Sequence, residues 1–338
     1  MAPTTLPRVG ITAAAHALPP TVLTTAEVQA RIEAASGFAL PARLLENLTG
    51  IRERHVVVEG EQWASSLAIE AGRRALERAG RDAEEVDLLV FASASADFVE
   101  PATAHVVNHA LGSRAHCLDV TNACNSFVNG LDLARAMIEV GRARTALVVT
   151  GEAPSLSTRW QVKDVADAAH HFAGYTFGDA GAAVVLEPVE TGGFGRTESE
   201  THSEHWEVGG IFGGGTRWPR DLDKTYFTGA GRELKRVFEK IGPAIVDSTM
   251  AHAGLEWGDL AAVFVHQVTA PYVERFCEVT GAPRELLDVT VATHGNVASA
   301  TLPLQLSRRW DSLRSGDRAL FLGLGGGVSV MATLWEKS

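Results

Sequence analysis

Three observations predict an α/β fold made of two duplicated halves. Short apolar, β-branched runs alternate with amphipathic stretches, the pattern of sheets covered by helices. The segment ALERAGRDAEEVDLLVFAS from Ala75 reads like TMAHAGLEWGDLAAVFVHQ from Thr249, with Gly80 over Gly254 and Val86 over Leu260. A similar offset sets RTALVVTGEAP from Arg144 over DRALFLGLGGG from Asp317 and brings Cys124 close to Asn296 in the alignment. Any two α/β segments can align this far by chance, so the repeat gains weight from the motifs it relates. Equivalent strand ends of two fused halves converge across a pseudo-twofold axis, where residues from both can meet.

Taken in order, strands are predicted over 86–93, 146–150, 182–187, 261–266 and 319–324, each apolar and bounded by polar or glycine residues. Helical spacing is clearest over 65–79 and 127–140, and in the second Phe127, Leu131, Ala134 and Ile138 share one face. Residues 191–231 depart from the alternation, with GGFG, VGGIFGGG, Trp206 and Trp218, and are expected to form a long substrate-shaping excursion.

Composition excludes several functions. A chain of 338 residues buries a core without disulfide staples. Lys+Arg 30 against Asp+Glu 41 gives a net charge of -11, which repels nucleic acid. Cys117, Cys124 and Cys277 are too few and scattered for a disulfide framework and lack metal-ligand spacing. No basic region precedes an apolar stretch at the N-terminus, and no apolar run approaches the roughly 20 residues of a membrane span. A soluble, cytoplasmic protein is expected.

Four segments carry candidate chemistry. In DVTNACNSFVNGLDLA, Cys124 falls where a strand-like approach meets a helix. Unpaired backbone N–H groups and the positive helix end would favour thiolate there and lower the thiol pKa, although a lone Cys amid Ala, Phe and Val is more often a small buried hydrophobe. In FVHQVTAPYV, His266 ends an apolar strand, either as a satisfied core histidine or as a titratable group at the strand end where α/β sites sit. In THGNVASATLPLQL, Asn296 follows a glycine in a turn, ordinary turn chemistry by itself. In GLGGGVSV, successive glycines present backbone N–H groups, and the pattern is neither GxGxxG opening a helix nor a phosphate loop ending in Lys-Ser/Thr.

In this order, with TGIRERH at 49–55 and FGDAGAAVVL at 177–186, these segments resemble the thiolase superfamily, specifically its ketoacyl-ACP synthase III branch, over nearly the whole chain. The resemblance implies a thiolase fold, five-layered αβαβα, with an N-terminal half over 1–188 carrying the nucleophile and a C-terminal half over 189–338 carrying His, Asn and the glycine loop. It implies that Cys124 accepts an acyl group from a thioester and that His266 and Asn296 stabilise an enolate-like charge. The backbone N–H groups of Cys124 and Gly326 would then form the oxyanion hole.

The wording FVEPATA around Glu100 looks like the thiolases of olefin and β-lactone pathways, which join two acyl-CoAs head to head. In those enzymes the glutamate enters the partner's site and removes an α-proton, whereas a decarboxylating synthase needs no such base. The alternative for Glu100 is a solvated loop carboxylate beside Pro101. The resemblance therefore implies Claisen condensation to a β-keto product, with coenzyme A or acyl-carrier thioesters as substrates, no resident cofactor or metal, and a homodimer. The rivals are decarboxylating condensation with a malonyl thioester, acyl transfer to a hydroxyl or amine, and a non-catalytic partner subunit. The positions that hold coenzyme A in the chain-initiating synthases align with Leu44, Leu48 and His171, and those at the carrier entrance with Arg232 and Pro271. The candidates for holding the pantetheine-bearing donor are accordingly Arg232, His171 and Thr269.

Overall fold

The computed structural model describes residues 6–229 and 231–338. Its first sheet holds β1 (Arg8–Ala17), β2 (Leu88–Ala92), β3 (His116–Val120), β4 (Ala146–Glu152) and β5 (Ala180–Val189) in the order β1-β5-β4-β2-β3. The second holds β6 (Gly193–Thr201), β7 (Ala262–Val265), β8 (Arg318–Gly325) and β9 (Ser329–Glu336) in the order β7-β8-β9-β6. Strand β2 pairs in parallel with both β3 and β4, as β7 does with β8, while the remaining partners in each series run antiparallel. Leu88 faces Ala146 in one sheet and Ala262 faces Ala319 in the other, the same pairs that the sequence repeat relates. The duplication is thus carried by the strand registers themselves.

Five layers follow from where apolar side chains are buried. Helices α1 (Ala64–Ala79) and α2 (Thr103–Leu111) cover the outer face of the first sheet, where an alanine-rich stripe of α1 packs on Leu89, Leu147 and Val185. Between the sheets lie α3 (Ser126–Glu139) and α6 (Thr301–Arg309), contributing Phe127, Leu131, Ile138, Leu302 and Leu306 to one core with Val90, Val148, Phe264 and Phe321. The outer face of the second sheet is covered by α4 (Gly231–Ala253) and α5 (Ala270–Thr280). Each sheet is buried on both faces, which explains why its central strands are continuous apolar runs and not alternating ones.

All five predicted strands and both predicted helices are present, with ends displaced by at most a few residues. The expected excursion over 191–231 needs correction at its start. Residues 193–201 form β6, an edge strand paired with β9, and its polar sequence GFGRTESET lacks the apolar signature that marks a buried strand. Only the remainder is irregular, with short 3-10 turns and a small ladder pairing Gly209–Gly210 with Thr228–Gly229. Among the described residues no helix is long and apolar enough to cross a membrane.

Candidate functional site

The turn that carries Cys124 is built by its own backbone. After β3, Asn125 N–H donates to the Asn122 carbonyl at 3.0 Å and Ser126 N–H to that of Ala123 at 3.1 Å. The Ser126 hydroxyl bonds the same Ala123 carbonyl at 2.6 Å and accepts from Asn122 N–H at 2.8 Å. Ala123 is held at φ 48, a left-handed conformation unusual for a residue with a Cβ. This tight reversal presents Cys124, half-buried, just ahead of α3.

The glycine loop at the end of β8 packs onto that turn. A side chain at Gly325 would meet the Asn122 carbonyl and the Asn125 Cβ, each at 2.9 Å, and one at Gly326 would lie 3.9 Å from the Ala123 Cβ. Glycine is required because the backbone of one half approaches the Cys124 turn of the other this closely. Above the loop passes the small ladder: the Gly209 carbonyl lies 3.4 Å from where a Gly326 side chain would begin. Phe227 on the same ladder packs edge to face on Phe177, at 5.3 Å between ring centres, and Phe177 is bridged to Asn296.

His266 follows β7 directly, anchored by its N–H to the Leu322 carbonyl at 3.2 Å. It is buried, and its Nδ1 has no hydrogen-bond partner among the described residues. Burial lowers its pKa to about 4, opposed by the backbone of Ala298. Asn296 is locked through both backbone groups, donating to the Thr176 carbonyl at 2.8 Å and accepting from Gly178 N–H at 3.1 Å. Its Oδ1 accepts from Ala298 N–H at 3.1 Å, which leaves its amide N–H groups as the side chain's remaining function.

Two findings depart from expectation at Cys124. Its thiol is pushed up to about 12 instead of down, by burial first and by the Glu152 carboxylate second. The positive end of α3 is outweighed by loss of water and by a neighbouring negative charge. Glu152 itself went unnoticed in the sequence. It closes β4, is fully buried, and accepts from Ala94 N–H at 2.7 Å, Ser95 N–H at 3.0 Å, Ser95 Oγ at 2.8 Å, Ser299 N–H at 3.4 Å and Ser299 Oγ. An acid ending an apolar strand is the same signal that marks His266, and it was available in ALVVTGE.

Through these contacts the structure links Cys124, His266, Asn296 and Gly326. Glu100 stands apart, exposed in the loop between β2 and α2 beside exposed Phe98 and Val99, the latter 83% exposed. Among the described residues it makes no hydrogen bond with the groups around Cys124. His171 is buried, with Nδ1 3.0 Å from the Phe227 carbonyl, a contact that fastens the small ladder. Thr269 caps α5, accepting from Tyr272 N–H at 3.3 Å. The Arg232 side chain lies outside the described residues. Leu48 is exposed and Leu44 half-buried on the short helix Leu44–Thr49, and Pro271 begins α5 beside Asn47 and Lys235 in an open cleft. Among the described residues no cluster of three or more His, Cys, Asp or Glu could hold a metal ion.

Comparison with known proteins places these features in a family. Residues 118–204 match the model of 3-oxoacyl-[acyl-carrier-protein (ACP)] synthase III, and residues 250–337 match its C-terminal model. The β-ketoacyl-[acyl-carrier-protein] synthase III of Roseiflexus sp. (strain RS-1) is 32% identical, covering 93% of each chain. That of Erythrobacter litoralis (strain HTCC2594) is 30% identical over 97% of this chain and 98% of its own. Among solved structures, OleA of Xanthomonas campestris superposes with a TM-score of 0.87 at 26% identity, covering 98% of this chain and 97% of its own. The FabH of Xanthomonas oryzae pv. oryzae gives 0.86 at 27%, covering 98% and 100%. The OleA structures include variants at a cysteine, a histidine and a glutamate, and one with bound lauric acid and lauroyl-CoA.

Proposed function

Because this chain belongs to the 3-oxoacyl-[acyl-carrier-protein] synthase III family of thiolase-fold condensing acyltransferases, we propose that it joins two acyl thioesters without decarboxylation, through an acyl-Cys124 intermediate. The observation that carries this reading is Glu100, a carboxylate in an exposed apolar loop, beside a complete Cys124, His266 and Asn296 set. The cysteine and histidine replaced in the OleA variants are separated by as many residues as Cys124 and His266 here, and the glutamate replaced there precedes its cysteine by only two residues more than Glu100 precedes Cys124.

In the first half-reaction Cys124 Sγ attacks the donor carbonyl, a carbon–sulfur bond forms, and the carrier thiol leaves. With the thiol near 12 and His266 near 4, both are neutral at pH 7, so His266 is the resident acceptor for the departing thiol proton. The N–H groups of Cys124 and Gly326 stabilise the tetrahedral oxyanion, a role worth about 3 kcal/mol per donor. In the second half-reaction the Glu100 of a second copy removes the α-proton of the incoming thioester, whose enolate oxygen is held by His266 and the Asn296 amide. The carbanion then attacks the acyl carbon and Cys124 leaves as the sulfur group, yielding a β-keto thioester. The exposed Phe98 and Val99 support burial of this loop against a partner. The donor is coenzyme A or an acyl carrier, the N-terminal half through residue 188 supplies the nucleophile, and a cytoplasmic homodimer is the working form.

A second reading is favoured by the β-ketoacyl-ACP synthase III relatives: extension of acyl-Cys124 by a malonyl thioester with loss of carbon dioxide. Intact-protein mass spectrometry of wild type and Cys124→Ser, exposed to acyl-CoAs with and without malonyl-CoA, separates the two. Wild type alone should gain an acyl adduct and release β-keto product without malonyl-CoA; product appearing only with malonyl-CoA sinks the non-decarboxylative reading.

A further inference from the structure

Glu152 is a buried carboxylate that belongs to no ion pair among the described residues. Removing such a charge from water is costly: burial pushes the Glu152 carboxyl up, and hydrogen bonds from Ser299, Ala94 and Ser95 pull against it. The donors come from two places. Ala94 and Ser95 continue β2 toward the loop that carries Glu100, and Ser299 lies three residues beyond Asn296 in the turn that leads to α6. Each carboxylate oxygen takes a backbone N–H from the Glu100 side, Oε1 from Ala94 and Oε2 from Ser95. The Ser299 backbone and hydroxyl approach Oε1. Further bonds brace the serines: Ser95 Oγ accepts from Ala153 N–H at 3.0 Å, and Ser299 Oγ lies 2.9 Å from Thr150 Oγ1.

We propose that Glu152 is a positioning residue that anchors both the root of the loop presenting Glu100 to a second copy and the turn carrying Asn296 of its own site. The inference rests on the condensation reading above. Its logic is one of acceptor chemistry. An ionised carboxylate accepts at both oxygens, whereas a glutamine of the same shape must turn an N–H toward a backbone N–H and push one segment away. Both displaced segments serve carbon–carbon bond formation, while the Cys124 turn is held by its own bonds to Asn122 and Ala123. Loss of Glu152 therefore falls on the second half-reaction.

The test measures the two half-reactions separately in the full-length chain, Cys124 acylation by mass spectrometry and product release by chromatography. Glu152→Gln, which also removes a negative neighbour of Cys124, should acylate at least as fast as wild type yet condense about 100-fold more slowly, the scale expected of a displacement near 1 Å at the reacting groups. Ser95→Ala and Ser299→Ala, which each remove one hydroxyl donor, should show the same split more weakly and serve should Glu152→Gln fold poorly. Combining Glu152→Gln with Glu100→Gln should cost less than the product of the two single losses, because part of the effect of Glu152 passes through Glu100. Equal losses in both half-reactions, or multiplicative losses in the double variant, overturn the proposal. Wild type in the same assay tests the reaction itself: if it condenses only with malonyl-CoA, the base role of Glu100 falls, and the ratio of condensation to acylation with malonyl-CoA still tests the hold of Glu152 on Asn296.

Discussion

The reactivity of Cys124 toward a small alkylating agent gives a direct reading of its surroundings. An ordinary thiol lies about three units below the value near 12 that burial and Glu152 impose here. At pH 7.5 the thiolate population is then about 1,000-fold smaller than for a free cysteine, while the more basic sulfur gains about 20-fold in intrinsic nucleophilicity, leaving alkylation about 50-fold slower. Iodoacetamide labelling followed by peptide mapping isolates Cys124 from Cys117 and Cys277. The logarithm of its rate should climb with unit slope from pH 6 to above pH 9 without levelling. Replacing Glu152 by Gln removes a negative neighbour and should raise the rate at fixed pH. A plateau below about pH 8.5 would mean that the helix N-terminus outweighs desolvation, and the neutral thiol and imidazole pair would have to be abandoned.

Replacing Glu100 by Gln should leave acyl-Cys124 accumulating on the protein while condensation without malonyl-CoA falls by at least about 100-fold, followed by mass spectrometry and product analysis. Gly325→Ala inserts a methyl group 2.9 Å from the Asn122 carbonyl, so acylation should drop about 100-fold, together with a lower melting temperature from the forced backbone shift. Gly130→Ala places its methyl 2.6 Å from the Ala92 Cβ within the central core; overpacking of ~1–3 kcal/mol against a helix-propensity gain of ~1 kcal/mol should leave net destabilisation in urea titration. Burial holds His266 near 4 when folded, so between pH 6.5 and 4 the unfolded chain binds the extra proton and stability is lost as pH falls. That contribution approaches ~3 kcal/mol and should be missing from the pH profile of His266→Asn, measured by denaturant midpoints against wild type.

What the sequence revealed, and what it hid, follows from how far each signal reaches along the chain. Buried strands announce themselves because both faces need apolar residues, hence β4 and β8 are plain in ALVVT and ALFLG. The edge strand β6 carries Arg196, Glu198 and Glu200 and reads as a loop, since only its pairing with β9 makes it a strand. Cys124, His266 and Asn296 stand out as candidates through their flanking motifs. The sign of the Cys124 shift does not, because it depends on burial first and on Glu152 second, and both arise only after folding. His171 reads from sequence as a candidate ligand contact, and only the carbonyl of Phe227 reveals its fastening role.

The strand registers also say something about the history open to this chain. The repeat that sets Arg144 over Asp317 sets Glu152 over Gly325, and each occupies the same rung of its ladder, opposite Ala180 and Ser329. One seat is filled by a side chain gripped by five donors; its twin is hollow, and the Cys124 turn leans into the space. A glycine at 152 would strand those donors, and a glutamate at 325 would evict Asn122 and Asn125. Once the two halves diverged at this rung, single substitutions could no longer restore their likeness, and the asymmetry between them became permanent.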